Sequence, residues 1–186
     1  AATEVLALKR RIYADLDRIA PPHAILATNS SAIVSSKIAD ATQRQDKVVN
    51  MHFFNPALVM KLVEVVKGPH VSDETAELTM EMSRVMQKVP VLLKKEVDGF
   101  LLNRIFAAIS KEANWLLEMG VAEVEDIDNA CVYGAGHPMG PFRLNDLTGL
   151  DLSYIMRMEK FRETGNQADL PTPRLVEHYM KGEFGE

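Results

Sequence analysis

The spacing of apolar residues changes period once along the chain, near Asp98, and this change limits the possible folds more than any other feature. Before it, AILATN (24–29), DKVVNMHFF (46–54), KLVEVV (61–66) and VPVLLK (89–94) are short β-branched or apolar runs bounded by turn residues, which predicts four strands. Val5, Leu8, Ile12, Leu16 and Ile19 recur at helical spacing ahead of Pro21 and Pro22, which predicts a helix already under way at Ala2. Ser72 followed by Asp73 and Glu74 reads as a cap and acidic first turn for a helix to about Gln87, burying Leu78, Met82 and Val85. Beyond Gly99 only helical periodicity remains. Asp98 is expected to cap a helix ending at Gly120, and a second should run from about Glu123 to Tyr133. Pro141 opens a third, Asp151 caps a fourth, and Thr172 with Pro173 opens a fifth that stops at Gly182. The expected architecture is α/β over 1–97, then all-α over 98–186. A chain that opens in a helix with no strand before it should have a partial sheet with an uncovered edge, and is expected to be a fragment.

Composition narrows the function. At 186 residues with 47% hydrophobic content, the chain can build a packed core. A net charge of −5 with few aromatics and no basic stripe argues against a nucleic-acid partner. No apolar run reaches the roughly 18 residues of a membrane span. Cys131 is the one cysteine, so an intrachain disulfide and a cysteine metal cluster are both excluded, and a reducing, cytoplasmic setting is expected. No HExxH pattern or clustered His and carboxylate spacing suggests a metal. His23, His70 and His178 fall near element ends and are expected to face solvent, while Met80, Met82, Met86, Met156 and Met158 read as helix core or interface.

One pair of residues carries chemistry. If residues 48–54 and 60–66 form an antiparallel hairpin around NPALV, a register centred on Leu58 sets His52 opposite Glu64 on one face. A slip of one residue would separate them. A carboxylate among Leu62, Val63, Val65 and Val66 needs a hydrogen-bonding partner, because burying it unpaired costs several kcal/mol. An imidazole so bonded has a fixed tautomer and a second nitrogen made basic enough to take a proton from a hydroxyl, which describes a general base. The alternative is a core His52 satisfied by a backbone carbonyl and a Glu64 at a strand edge in water.

Five ordered motifs span nearly the whole chain: TNSSAI (28–33), HFFNP (52–56), MKLVEVVKG (60–68), DGFLLNRI (98–105) and GAGHPMGPFRLNDLTGLD (134–151). Together they resemble the L-3-hydroxyacyl-CoA dehydrogenases of fatty-acid β-oxidation and butyrate metabolism. The resemblance implies a partial Rossmann-like NAD-binding domain, a helical dimerisation domain, and an NAD-dependent interconversion of (S)-3-hydroxyacyl-CoA and 3-ketoacyl-CoA. It implies that His52 is the base for the 3-hydroxyl and that Glu64 orients it. It further implies that Ser31 touches substrate oxygen and cofactor, and that Asn103 touches the substrate oxygens. Asn55, Glu4 and Lys9 match cofactor-contacting positions, although Glu4 and Lys9 also suit a solvated helical face. A homodimer through the helical domain is implied as well.

The chain departs from that pattern at its ends. The family's first strand, GxGxxG turn and following acidic residue do not occur in it, and GAGHPMG carries Met139 where a third glycine would stand. The chain also stops at KGEFGE, short of the family's Gly and aromatic tail. Poor NAD binding and near inactivity are therefore expected of the isolated chain. Rival expectations are a related dehydrogenase of a free hydroxy acid, or a non-catalytic structural or assembly protein that kept the fold.

Overall fold

The computed structural model describes residues 2–183, without the side chains of Leu152, Met156, Lys160, Glu163 and Ala168. The expectations for Met156 and for residues 184–186 lie outside the described residues. The chain divides into two compact units, Ala1–Arg104 and Ile105–Glu186.

The first unit is built on a four-stranded sheet in the order β1-β2-β3-β4, with β1 Leu26–Thr28, β2 Val48–Phe53, β3 Leu62–Val66 and β4 Val89–Leu93. β1 runs parallel to β2 and β3 parallel to β4, while β2 and β3 are antiparallel with His52 opposite Glu64. Alternate residues of β2 therefore face opposite ways. Val48 packs with Tyr13, Leu26 and Ile38, which brings in helices α1 (Leu6–Ile19) and α2 (Ser36–Ala39). Val49 and Met51 pack with Val63, Val65 and Ala76 of helix α3 (Asp73–Val85). Fully burying each such valine contributes roughly 1.5–3 kcal/mol.

The expectations for the helices of this unit fail at three places. Helix α1 begins at Leu6, because Ala2 to Val5 are not helical. Helix α3 is capped by Ser72, which accepts from the Thr75 amide at 3.1 Å, but it buries the other face. Leu78, Met82 and Val85 are 48%, 55% and 72% exposed, and Thr75, Ala76, Thr79 and Ser83 are buried instead. Small side chains let the helix lie close to the sheet, and the hydroxyls of Thr79 and Ser83 donate one turn back, to the Thr75 and Thr79 carbonyls, so their burial leaves no polar atom unpaired. Met86 is exposed as well, while Met80 packs on the Val49 cluster. Asp98 does not cap a helix: residues 98–101 form turns, and helix α4 runs Leu102–Glu118.

In the second unit, α4 contributes Ala113 to a small core with Ile127 and Phe142. Ile127 lies on α5 (Val124–Asn129), which continues as a π-helical turn, Ala130–Gly134. Phe142 lies on α6 (Pro141–Thr148), whose first amides are taken by Asp128, from Phe142 at 2.9 Å and Arg143 at 3.0 Å. Gly140 permits this, since a Cβ there would meet Asp128 Cγ at 2.2 Å. Helix α7 (Leu150–Thr164) starts after Gly149, with Asp151 inside its first turn and making no side-chain cap, contrary to expectation. Thr172 does cap α8 (Pro173–Lys181), which ends on the left-handed Gly182. No helix among the described residues is long and apolar enough to cross a membrane.

Candidate active site

Residues of β2 and β3 and the loop after β1 meet at one end of the sheet. His52 and Glu64 are 3% and 0% exposed, and His52 Nδ1 lies 3.0 Å from Glu64 Oε2. An ionised carboxylate only accepts, so Nδ1 carries a proton, and in the neutral ring Nε2 is left as the acceptor. Ser31 Oγ lies 3.0 Å from that nitrogen and can donate to it. Ser31, the neutral His52 ring and the ionised Glu64 thus form one chain of hydrogen bonds, open at the half-buried serine.

The second carboxylate oxygen is held from elsewhere. Glu64 Oε1 accepts the backbone amides of Leu101 at 3.1 Å and Leu102 at 2.8 Å. A capping Asp98 would have taken the Phe100 or Leu101 amide; the carboxylate of β3 takes those of Leu101 and Leu102 instead. Three hydrogen bonds to an ionised group offset the several kcal/mol of burying it, which a single imidazole contact would not do. Phe100, 1% exposed, and Phe54 both meet the His52 ring edge to face, at centroid distances of 5.3 and 4.7 Å.

The serine is placed by a loop fixed from β2. Asn50, fully buried, accepts from the Ser35 amide at 2.6 Å and donates to the Ser30 and Ile33 carbonyls, each at 3.3 Å. Asn29 accepts from the Phe53 amide at 2.8 Å. At the loop's far end Glu96 accepts from Ser35 Oγ at 3.1 Å and the Ser36 amide at 2.9 Å. Alongside, Glu4 accepts from Ser30 Oγ and pairs with Lys9 at 3.2 Å. Lys9 is buried, which corrects the reading of a solvated face; Glu4 is exposed.

Of the seven residues singled out from sequence, Ser31, His52 and Glu64 come together, and Glu4 and Lys9 form a pair tied to Ser30. Asn55 is exposed, just after Phe54. Asn103 sits half-buried in the first turn of α4, next to the Leu102 amide that binds Glu64, and no side-chain hydrogen bond ties it to the cluster. Sequence reasoning missed Phe100, Asn50 and the two backbone amides. The adjacent Asp98 and Gly99 were a turn signal that could have found the amides. Among the described residues no group of His, Cys, Asp and Glu could hold a metal.

Known proteins share this arrangement of chain. Residues 1–97 match the family model described as 3-hydroxyacyl-CoA dehydrogenase, NAD binding domain, and residues 99–186 match that of the C-terminal domain. The human hydroxyacyl-coenzyme A dehydrogenase, mitochondrial, is 41% identical over 100% of this chain and 59% of its own length. A 3-hydroxybutyryl-CoA dehydrogenase of Clostridioides difficile is 39% identical over 100% of the chain and 66% of its own. The crystal structure of the (S)-3-hydroxybutyryl-CoA dehydrogenase of Ralstonia eutropha superposes with a TM-score of 0.88 at 35% identity, over 100% of this chain and 65% of that one. The chain thus spans about three fifths of the human relative's length. With both family models matched in order, the chain belongs to the 3-hydroxyacyl-CoA dehydrogenase family.

Proposed function

We propose that the protein carrying this chain interconverts an (S)-3-hydroxyacyl-CoA and a 3-ketoacyl-CoA with NAD, using His52 as general base in oxidation and general acid in reduction. The observation that carries the reading is the chain of hydrogen bonds from Ser31 through His52 to a buried, thrice-bonded Glu64.

In oxidation His52 Nε2 receives the proton of the substrate 3-hydroxyl, while Nδ1–H stays on Glu64, whose negative charge stabilises the imidazolium that forms. Ser31 donates to the reacting oxygen as negative charge develops on it, and Asn103 serves the substrate oxygens from the start of α4. In reduction His52 returns the proton to the carbonyl oxygen. NAD, when bound, supplies the acceptor for the hydride leaving C3.

The residues present fit that cofactor. Glu4 offers an exposed carboxylate held in place by the buried Lys9 ammonium, Ser31 a hydroxyl and Asn55 an exposed amide. Such groups suit the hydroxyls and carboxamide of a nicotinamide riboside.

The helical unit, with Ile105, Phe106, Trp115, Met119 and Tyr133 exposed, is assigned to homodimer formation. A cytoplasmic setting suits the lone Cys131.

An assay of the intact protein with acetoacetyl-CoA and NADH, following loss of NADH absorbance, tests the reaction. Turnover in the parent with a loss of about 10²- to 10⁴-fold in His52→Gln is expected from removal of a general acid–base. Near-parental turnover in His52→Gln would refute the assignment.

A further inference from the structure

We propose that Phe100 is a positioning residue for the proton transfer, acting through His52 and Glu64 from a left-handed turn; this deepens the function proposed above and rests on it.

The turn is unusual for its residue type. Gly99 has φ +72° and Phe100 φ +49°, so two successive residues are left-handed and the second carries a large aromatic side chain. A non-glycine residue keeps such a backbone only where its surroundings over-determine it, and these conformations gather where they serve a site. Here two consequences follow from the one conformation. The Phe100 ring is driven into the interior, in a cluster with Val66 and Leu93, with its edge-to-face contact on the His52 imidazole. The chain direction after it delivers the next two amides, of Leu101 and Leu102, to Glu64 Oε1.

The imidazole is thereby held in every direction that matters. Glu64 and Ser31 fix it at Nδ1 and Nε2, while the steeply inclined rings of Phe54 and Phe100 pack against it and restrain its rotation. Phe54 is half-buried and lies two residues after His52, just past the end of β2, so it moves with the histidine. Phe100 comes from a separate segment and is buried, so it is the fixed reference. Removing its ring should let the imidazole leave the orientation in which Nδ1 faces Glu64, and both tautomers should then be populated.

The test uses the intact protein labelled with ¹⁵N-histidine, comparing the parent with Phe100→Ala and Phe100→Leu. His52→Gln identifies the His52 signals by their loss. In the parent, His52 should show the protonated Nδ1 and bare Nε2 tautomer. Phe100→Ala should shift its nitrogen signals toward a tautomer mixture and lower kcat about tenfold, with KM for the acyl-CoA within about twofold. Phe100→Leu, which refills the space, should restore the signals and most of kcat.

Unchanged His52 nitrogen shifts in both variants would overturn the proposal, whatever kcat does, because a merely structural residue would change stability or KM and leave the tautomer alone. A parent without dehydrogenase turnover would sink the proposed reaction, while the nitrogen shifts would still decide whether Phe100 orients His52.

Discussion

Two histidines stand at opposite ends of the β2–β3 pair, and their surroundings differ in kind. His52 has a side chain on each ring nitrogen, one a buried carboxylate and the other a hydroxyl. His70, four residues past β3, places Nε2 2.9 Å from the Val48 carbonyl, and its Nδ1 is buried with no partner. A carbonyl fixes a tautomer as well as a carboxylate does, but it carries no net charge to stabilise an imidazolium, and the second nitrogen of His70 has no hydroxyl or other group to act on. A fixed tautomer is thus shared by both. What separates them is charge on one side and an opening on the other, which is why Glu64 and Ser31 matter more than the histidine's depth. The expectation that His70 faces solvent is corrected: it is half-buried and bonded to the Val48 carbonyl.

The largest expected effect tests this contrast directly. In the intact protein His52→Gln should reduce turnover by about 10³-fold, the middle of the range for general acid–base groups. His70→Gln should leave kcat/KM within about twofold, the ordinary scatter of a residue outside the chemistry. Comparable losses in the two variants would erase the distinction drawn between the two ends. Next in size is Glu64→Gln, which keeps the shape but not the charge. It should lower kcat about 10²-fold with a smaller effect on the thermal midpoint, since both the imidazolium stabilisation and the acceptor for Nδ1–H are lost while the side-chain oxygen can still take the Leu101 and Leu102 amides. A large fall in stability with kcat retained would instead make Glu64 a structural anchor for the Leu101 and Leu102 amides.

Asn50 sharpens the comparison from the side of the loop. Asn50→Ala leaves the Ser35 amide and the Ser30 and Ile33 carbonyls without their partner in a buried place. A cost of about 1–3 kcal/mol is expected from the unpaired groups, read as a lower urea midpoint at unchanged slope. Because this loop carries Ser31, kcat should also fall, though less than in Glu64→Gln. An unchanged midpoint would mean that the loop holds its shape without Asn50.

The contact between His52 and Glu64 was legible in the sequence because a hairpin's register is arithmetic. Once two runs of period 2 are joined by a short turn, one pairing fixes the rest, and opposed positions share a sum. The strands were legible as β-branched or apolar runs bounded by turn residues. The partners of Glu64 Oε1 were not, because they are backbone amides 37 and 38 residues downstream, and an amide leaves no mark in a side-chain pattern. The buried face of α3 was misread because hydrophobicity alone points to Leu78, Met82 and Val85. A face of Thr75, Ala76, Thr79 and Ser83 is apolar only after its hydroxyls have bonded to their own helix. Lys9 was hidden likewise: an ammonium reads as exposed until Glu4 is known to lie against it.

The smallest expected effect lies away from both histidines. Asp17 on α1 accepts the Gln43 amide at 2.8 Å and Arg44 Nε at 2.7 Å, and Arg44 also donates to the Asp17 carbonyl at 2.8 Å. The Gln43 amide first, and the Arg44 guanidinium after it, hold the Asp17 carboxyl below the usual aspartate range. A carboxylate with a depressed folded-state pKa binds its proton more readily in the unfolded chain. Its contribution to stability is therefore complete above the unfolded value, near pH 4, and is lost as pH falls through the folded one. Urea midpoints of the parent should decline below about pH 4 more steeply than those of Asp17→Asn, with the two curves converging at the acid end. Because the group ties α1 to the turn before β2 and touches neither histidine, the slope should change while the turnover ratio of the His52 and His70 variants does not. Parallel curves for parent and Asp17→Asn would show that the Gln43 and Arg44 contacts do not favour the ionised form.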